Sequence, residues 1–368
     1  MSFPIRPNVL KMRPYSPGKP IDEVKRELGL TDIVKLASNE NPFGPSPKAL
    51  AAIQKAASDI HLYPDASAFE LRSAIAKRHG LELGQVMVGS GSDEIMSSLG
   101  HILLGPGTQL IMGDPSFVRY DSSAYLADAE LVKVPLDSEW KHDVRAMAEK
   151  FSDQTRLVYI ANPNNPTGTV IPHDDILYVL DRLPAGALLV LDEAYFEFAE
   201  HLEDFPKTVD LLKAGKPVVI LRTFSKAYGL AGLRVGYGLA SAEIVTNVDR
   251  VRMPFNVNSL AQAAAIAALD DAEHVQKTVS ENAAGLERVT AMAEKMGFKV
   301  VPSFANFICV DLGSPAMPIF EALLAEGVIV RPGTVLGMPN HLRVSIGTTE
   351  EMDVFEKAFL KVAGRAAV

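Results

Sequence analysis

The chain is short of cysteine, of clustered histidine and of long apolar runs, and each shortage removes a class of protein. Cys309 is the one cysteine in 368 residues. A single thiol excludes an intrachain disulfide framework and fits a reducing compartment. It lies in Phe307-Ile308-Cys309-Val310, where a free cysteine behaves as a small core hydrophobe. The eight histidines show no H-x-x-x-H spacing and no cysteine partner, so no metal site is expected. No apolar segment approaches the length of a membrane span, and Met1 to Pro7 lacks a basic region followed by an apolar stretch. Basic excess is missing too: the net charge of −9 argues against a nucleic-acid surface. The expectation is a cytoplasmic protein of small-molecule chemistry, with neither membrane nor nucleic acid as partner. Two catalytic motifs are also absent. Without G-x-S-x-G there is no serine-hydrolase elbow, and without G-x-x-x-x-G-K-[ST] there is no P-loop.

What is present is a chain too long for one typical domain, with enough apolar content (48%) for a sizeable core. The first stretch, to about Leu36, is proline-rich and reads as an irregular arm that lies over something rather than joining a sheet. Helices are expected from about Pro47 to Ala57 and Ser67 to His79. Short apolar runs then alternate with helical patterns: Val86–Val88, Leu110–Met112, Leu157–Ile160, Leu188–Leu191 and Val218–Leu221, separated mostly by helices at 93–104, 117–126 and 174–183. Continuously apolar strands alternating with helices predict an α/β architecture, a mostly parallel sheet covered on both faces. After about Arg252 comes a long Ala-rich helical region, Ser259 to Met296, then short strands and helices of an α+β unit. The expected division is an arm (1–36), a large domain (37–255) and a small domain (256–368).

Polar clusters follow the predicted strand ends, where open α/β sheets bind ligands. Gly89-Ser90-Gly91-Ser92-Asp93-Glu94 opens a helix; its small residues free backbone N–H groups for phosphate, and taken alone it is equally an ordinary N-cap. Glu94 stands where a dinucleotide fingerprint needs its third glycine. Asn162 to Gly168 is a rigid loop able to aim an Asn side chain, or a plain connector. Asp192-Glu193-Ala194-Tyr195 ends an apolar run in acids. Thr223 to Arg234 places Lys226 just beyond a strand, with glycines 229 and 232 turning the chain. Arg331 and Arg343 end small-domain strands and together would clamp phosphate or carboxylate.

In this order the clusters resemble the fold-type I pyridoxal-phosphate enzymes, specifically the class II aminotransferases and, among them, the histidinol-phosphate aminotransferase family. The likeness spans nearly the whole chain: Pro14-Tyr15-Ser16-Pro17-Gly18-Lys19, Leu36-Ala37-Ser38-Asn39-Glu40-Asn41-Pro42, Tyr63-Pro64-Asp65, Gly91-Ser92-Asp93-Glu94, Asn165-Pro166-Thr167-Gly168, Asp192-Glu193-Ala194-Tyr195, Thr223-Phe224-Ser225-Lys226 and Leu342 to Thr348. The resemblance implies a three-layer large domain, a smaller α+β domain and pyridoxal 5′-phosphate as cofactor. Lys226 would form the Schiff base and shuttle the proton, and Asp192 would pair with the pyridinium nitrogen. Tyr195 and Asn165 would hydrogen-bond the phenolate oxygen, and Phe117 would stack on the ring. Gly91, Ser92, Asp93, Thr223, Ser225 and Arg234 would hold the phosphate, with Tyr63 reaching in from the other subunit of a homodimer. Arg331 and Arg343, helped by Tyr15 and Asn39, would bind the substrates, L-histidinol phosphate and glutamate or 2-oxoglutarate. Family members often carry Tyr where Phe117 stands, so a hydrogen bond from that hydroxyl is absent here.

Other activities share this cofactor chemistry. An aromatic amino acid aminotransferase differs only in the ring its pocket admits, and pockets discriminate similar apolar shapes poorly. A lyase decarboxylating threonine phosphate would keep the same lysine, aspartate and arginines. A ligand-sensing regulator would need an N-terminal DNA-binding module, for which the sequence ahead of the first motif leaves no room.

Overall fold

The structure is a computed structural model that describes residues 3–12, 14, 21–30 and 32–364. Its strands, in chain order, are β1 (Val34–Lys35), β2 (Val86–Gly89), β3 (Gln109–Asp114), β4 (Glu130–Pro135), β5 (Thr155–Ala161), β6 (Leu188–Asp192), β7 (Val218–Thr223), β8 (Gly236–Leu239), β9 (Lys299–Val301), β10 (Phe307–Asp311), β11 (Val328–Ile329), β12 (Arg331–Pro332) and β13 (His341–Ser345). A seven-stranded sheet runs β2-β8-β7-β6-β5-β3-β4, and a four-stranded one β12-β13-β10-β9.

Strands β4, β3, β5, β6 and β7 are mutually parallel, and β8 runs antiparallel to both β7 and β2. The parallel run follows from the sequence. In β6, Leu189 and Leu191 enter the core on one face while Val190 enters the core on the other. Each such side chain, fully withdrawn from water, contributes on the order of 1.5–3 kcal/mol. The architecture is α/β, with a smaller second sheet unit.

Two expectations for the first stretch are corrected, and the Ala-rich region gains detail. The arm is not wholly irregular: Pro7–Lys11 and Ile21–Leu28 are helices, the first with proline at a helix start, where its missing N–H costs nothing. Its end joins a sheet, β1 pairing in parallel with β11, and Leu36 packs in the core of the four-stranded unit. The Ala-rich region is two helices, Ser259–Leu269 and Ala272–Lys295, broken at Asp270-Asp271. Ala261, Ala264, Ala265 and Ala268 of the first belong to the core of the large sheet, although they follow the boundary expected at 255/256.

Candidate active site

The carboxyl ends of β3, β5, β6 and β7, the start of the helix Ser92–Leu103, residues 37–40 and the strands β12 and β13 enclose a cavity of about 1030 Å³. Asn39, Gly91, Ser92, Asp93, Phe117, Asn165, Asp192, Tyr195, Thr223, Ser225, Lys226, Arg234, Arg331 and Arg343 all line it. Tyr63 does not: it is 82% exposed, its ring stacked on Phe255 at 4.5 Å. Tyr15 lies outside the described residues.

Lys226 follows the end of β7 by three residues, and its Nζ donates to the Asn39 backbone oxygen at 3.1 Å. Burial lowers the Lys226 pKa to about 8; the Arg343 charge adds to this, and Glu40 opposes it. An amine in that range is part neutral near physiological pH, the form that attacks a carbonyl. The loop beyond it closes tightly. Gly229 has φ +70°, and a Cβ there would stand 2.2 Å from the Gly44 carbonyl oxygen, so only glycine fits. Gly232 carries no such requirement; it sits in the one-turn helix Ala231–Leu233 with open space around it.

Asp192, the last residue of β6, is buried. Its Oδ2 accepts from the Tyr120 hydroxyl at 2.7 Å, while Oδ1 has no hydrogen-bond partner. Burial raises its pKa to about 6 against the pull of Tyr120, and the nearby Asp93 charge raises it further. Tyr120 escaped the sequence reading. A lone tyrosine near a helix start looks like core, and only its spacing after Phe117 hints otherwise.

Asn39 ties three walls together. Its backbone is left-handed (φ 54°), a conformation asparagine tolerates. Its Nδ2 donates to the Tyr195 hydroxyl at 2.9 Å, and its Oδ1 accepts from Ser345 at 2.9 Å. Arg343 is buried and donates to Asn165 Oδ1 at 2.7 Å and to the Ala37 oxygen at 3.0 Å. Because arginine only donates, this contact fixes which end of the Asn165 amide is oxygen.

At the helix start, Gly91 has φ +74°, and a Cβ on it would stand 2.7 Å from Arg234 Nη2. Bare glycine therefore lets the guanidinium lie against the N-terminus, and backbone N–H groups beside a guanidinium are an arrangement suited to an anion. Ser225 N donates to Thr223 Oγ1 at 3.1 Å on the facing strand end. Among the described residues no group of three or more His, Cys, Asp or Glu side chains is placed to hold a metal ion, and no helix is long and apolar enough to cross a membrane.

The family model for "Aminotransferase class I and II" matches residues 31–359. The chain belongs to that family. It is 47% identical over 363 residues to "Histidinol-phosphate aminotransferase 2" of Pseudomonas fluorescens strain Pf-5, covering 98% of each chain. It is 45% identical over 360 residues to "Histidinol-phosphate aminotransferase" of Moorella thermoacetica, covering 97% of this chain and 92% of that one. Among solved structures, histidinol-phosphate aminotransferase from Sinorhizobium meliloti in complex with pyridoxal-5′-phosphate superposes with a TM-score of 0.91 at 29% identity, covering 100% of this chain and 99% of that chain. The observed sheets agree with the fold expected from the resemblance, a large mostly parallel sheet with a smaller second unit.

Proposed function

We propose that this aminotransferase uses pyridoxal 5′-phosphate to exchange an amino group between L-histidinol phosphate and 2-oxoglutarate or glutamate. The observation that carries the reading is the juxtaposition, in one cavity, of the Lys226 amine, the partnerless Asp192 Oδ1 and the Gly91–Arg234 anion cup. These fit a flat cationic heteroaromatic aldehyde bearing a phosphate. The names of the 45–47% identical relatives support the same substrate.

In this reading, backbone N–H groups of Ser92 and Asp93, with Thr223, Ser225 and Arg234, hold the cofactor phosphate. Phe117 covers the ring, and Asp192 accepts from its nitrogen. Tyr195 and Asn165 donate to its phenolate oxygen. When bound, the cofactor supplies an electron sink for the carbon that loses a proton. Lys226 Nζ takes and returns that proton, a task suited to an amine whose pKa sits near 8. Arg343 and Arg331, assisted by Asn39 and Tyr15, hold the substrate phosphate in one half-reaction and carboxylates in the other.

Homodimerisation and a cytoplasmic location belong to the same proposal. Tyr63 and Phe255 stack on the surface near other exposed apolar side chains, among them Leu62 and Met253, an arrangement suited to burial against a second copy. Tyr63 would then serve the neighbouring cavity. The division into arm 1–36, large domain 37–255 and small domain 256–368 belongs to the same proposal, with Ser259–Leu269 packing into the core of the large unit.

A donor panel on the purified protein tests the assignment. L-histidinol phosphate should give the highest kcat/KM with 2-oxoglutarate. A higher value for phenylalanine would replace it with the aromatic reading, and carbon dioxide release from threonine phosphate would replace it with the lyase reading.

A further inference from the structure

Tyr120 opens the helix Tyr120–Ala127 and is completely buried. Its ring is clamped: it stacks on Tyr159 at 4.6 Å and 15°, and Phe117 meets it edge-on at 5.6 Å. The hydroxyl therefore has little freedom, and it reaches Asp192 Oδ2 at 2.7 Å. The Tyr159 hydroxyl, equally buried, has no partner. Of the two stacked phenols, the one at Tyr120 is hydrogen-bonded to Asp192 and the one at Tyr159 is not.

A buried carboxylate oxygen without a donor is costly, and native structures keep one chiefly where something else supplies the donor. Asp192 lines the cavity and Oδ1 is its oxygen without a partner. We propose that Tyr120 is a positioning residue for Asp192: by occupying Oδ2 it fixes the carboxylate so that Oδ1 is presented bare to a cationic N–H of the bound ligand. The inference rests on the cofactor reading above and assigns to that site a residue acting through another.

The charge state follows from the surroundings. Burial, Asp93 and Glu193 favour the neutral acid; the Tyr120 hydrogen bond and the Ala194 N–H favour the carboxylate. Tyr159 and Tyr195 bear on the phenol of Tyr120, and Lys226 is near enough for Asp192 to favour its charged form. Removing the Tyr120 hydroxyl deletes the largest contribution holding the charge. A protonated Asp192 would donate to a ring nitrogen rather than accept from it.

The test begins with apoprotein. The Asp192 carboxyl band is isolated as the infrared difference between wild type and Asp192→Asn and followed against pH. Tyr120→Phe should move its midpoint up by about one to two pH units, the equivalent of one hydrogen bond to a charged group. Tyr159→Phe, which removes a hydroxyl without a partner, should leave it in place. Tyr120→Phe should also weaken pyridoxal phosphate binding about tenfold or more at neutral pH, increasingly so toward lower pH. A Tyr120→Phe midpoint equal to wild type, or an equal shift in Tyr159→Phe, overturns the proposal. Should Tyr120→Phe fail to fold, 3-fluorotyrosine at position 120, a stronger donor of nearly the same shape, must lower the midpoint; no movement overturns it as well. Wild-type protein that takes up no pyridoxal phosphate refutes the cofactor reading, a result separate from the apoprotein titration.

Discussion

Arg331 and Arg343 are register partners on adjacent antiparallel strands, and both line the cavity. Like charges directly opposite each other repel, so an anion bound between them relieves a cost built into the sheet. Arg343→Ala should lower kcat/KM for a phosphorylated amine on the order of a hundredfold, as expected for truncating one side of a buried charge contact. Arg343→Lys should restore little, because an ammonium cannot reproduce the planar fork that also holds Asn165. Arg331 is less buried, and its removal should cost less. Steady-state kinetics of the three variants check the order.

Lys226 sets a pH signature in the apoprotein. Its folded-state pKa is about 8 against a usual 10.5, so between those values the unfolded chain binds more protons and stability rises with pH. The gain is at most about 3 kcal/mol and smaller in practice, because the amine opens on the cavity. Lys226→Met should lack this rise. Denaturant melts of both proteins across pH 7.5 to 10.5, as a rough window around the two values, would show parallel curves if the lysine were ordinary.

Next to the site lies an ion pair whose two side chains do not line the cavity. Glu193 follows Asp192 and points to the other face, where Arg222 donates to it at 2.9 and 2.8 Å while its guanidinium covers the Phe196 ring. Both side chains are buried. Breaking the pair by Glu193→Gln or Arg222→Met should destabilise by about 3–5 kcal/mol, because one charge is left uncompensated. The double variant should recover part of the loss. A double-mutant cycle in urea measures it.

Tyr63 gives a prediction about assembly. If it completes the neighbouring cavity, Tyr63→Ala and Lys226→Ala proteins, each impaired alone, should regain activity when unfolded together and refolded. Random pairing leaves about a quarter of the sites with both residues intact. No recovery would place Tyr63 outside the reaction.

Much of the fold was legible in the sequence because buried parallel strands write themselves as unbroken apolar runs, as in Leu157–Ile160 and Val218–Leu221. Strand β8 was not, since Gly236-Tyr237-Gly238-Leu239 has little strand propensity and is glycine-rich for want of space: a Cβ at Gly236 would stand 2.7 Å from Ser92 N. Edge strand β4 is half exposed and lacks an apolar run. Within the cavity, lysine, aspartate and arginines were readable from motif order, because each belongs to a short local pattern. The Asn39 hub and the Tyr120–Asp192 bond were not. They join residues 156 and 72 positions apart through side-chain geometry that no local spacing encodes.

The central claim is tested most directly by a single turnover. Protein loaded with pyridoxal phosphate is mixed with one equivalent of L-histidinol phosphate in the absence of a keto acid, and the cofactor absorbance is followed. The visible band of the aldehyde form should give way to the near-ultraviolet band of the amine form, and 2-oxoglutarate should then restore it. An unchanged visible band with L-histidinol phosphate, in protein that a different amino donor does convert, would contradict the assignment.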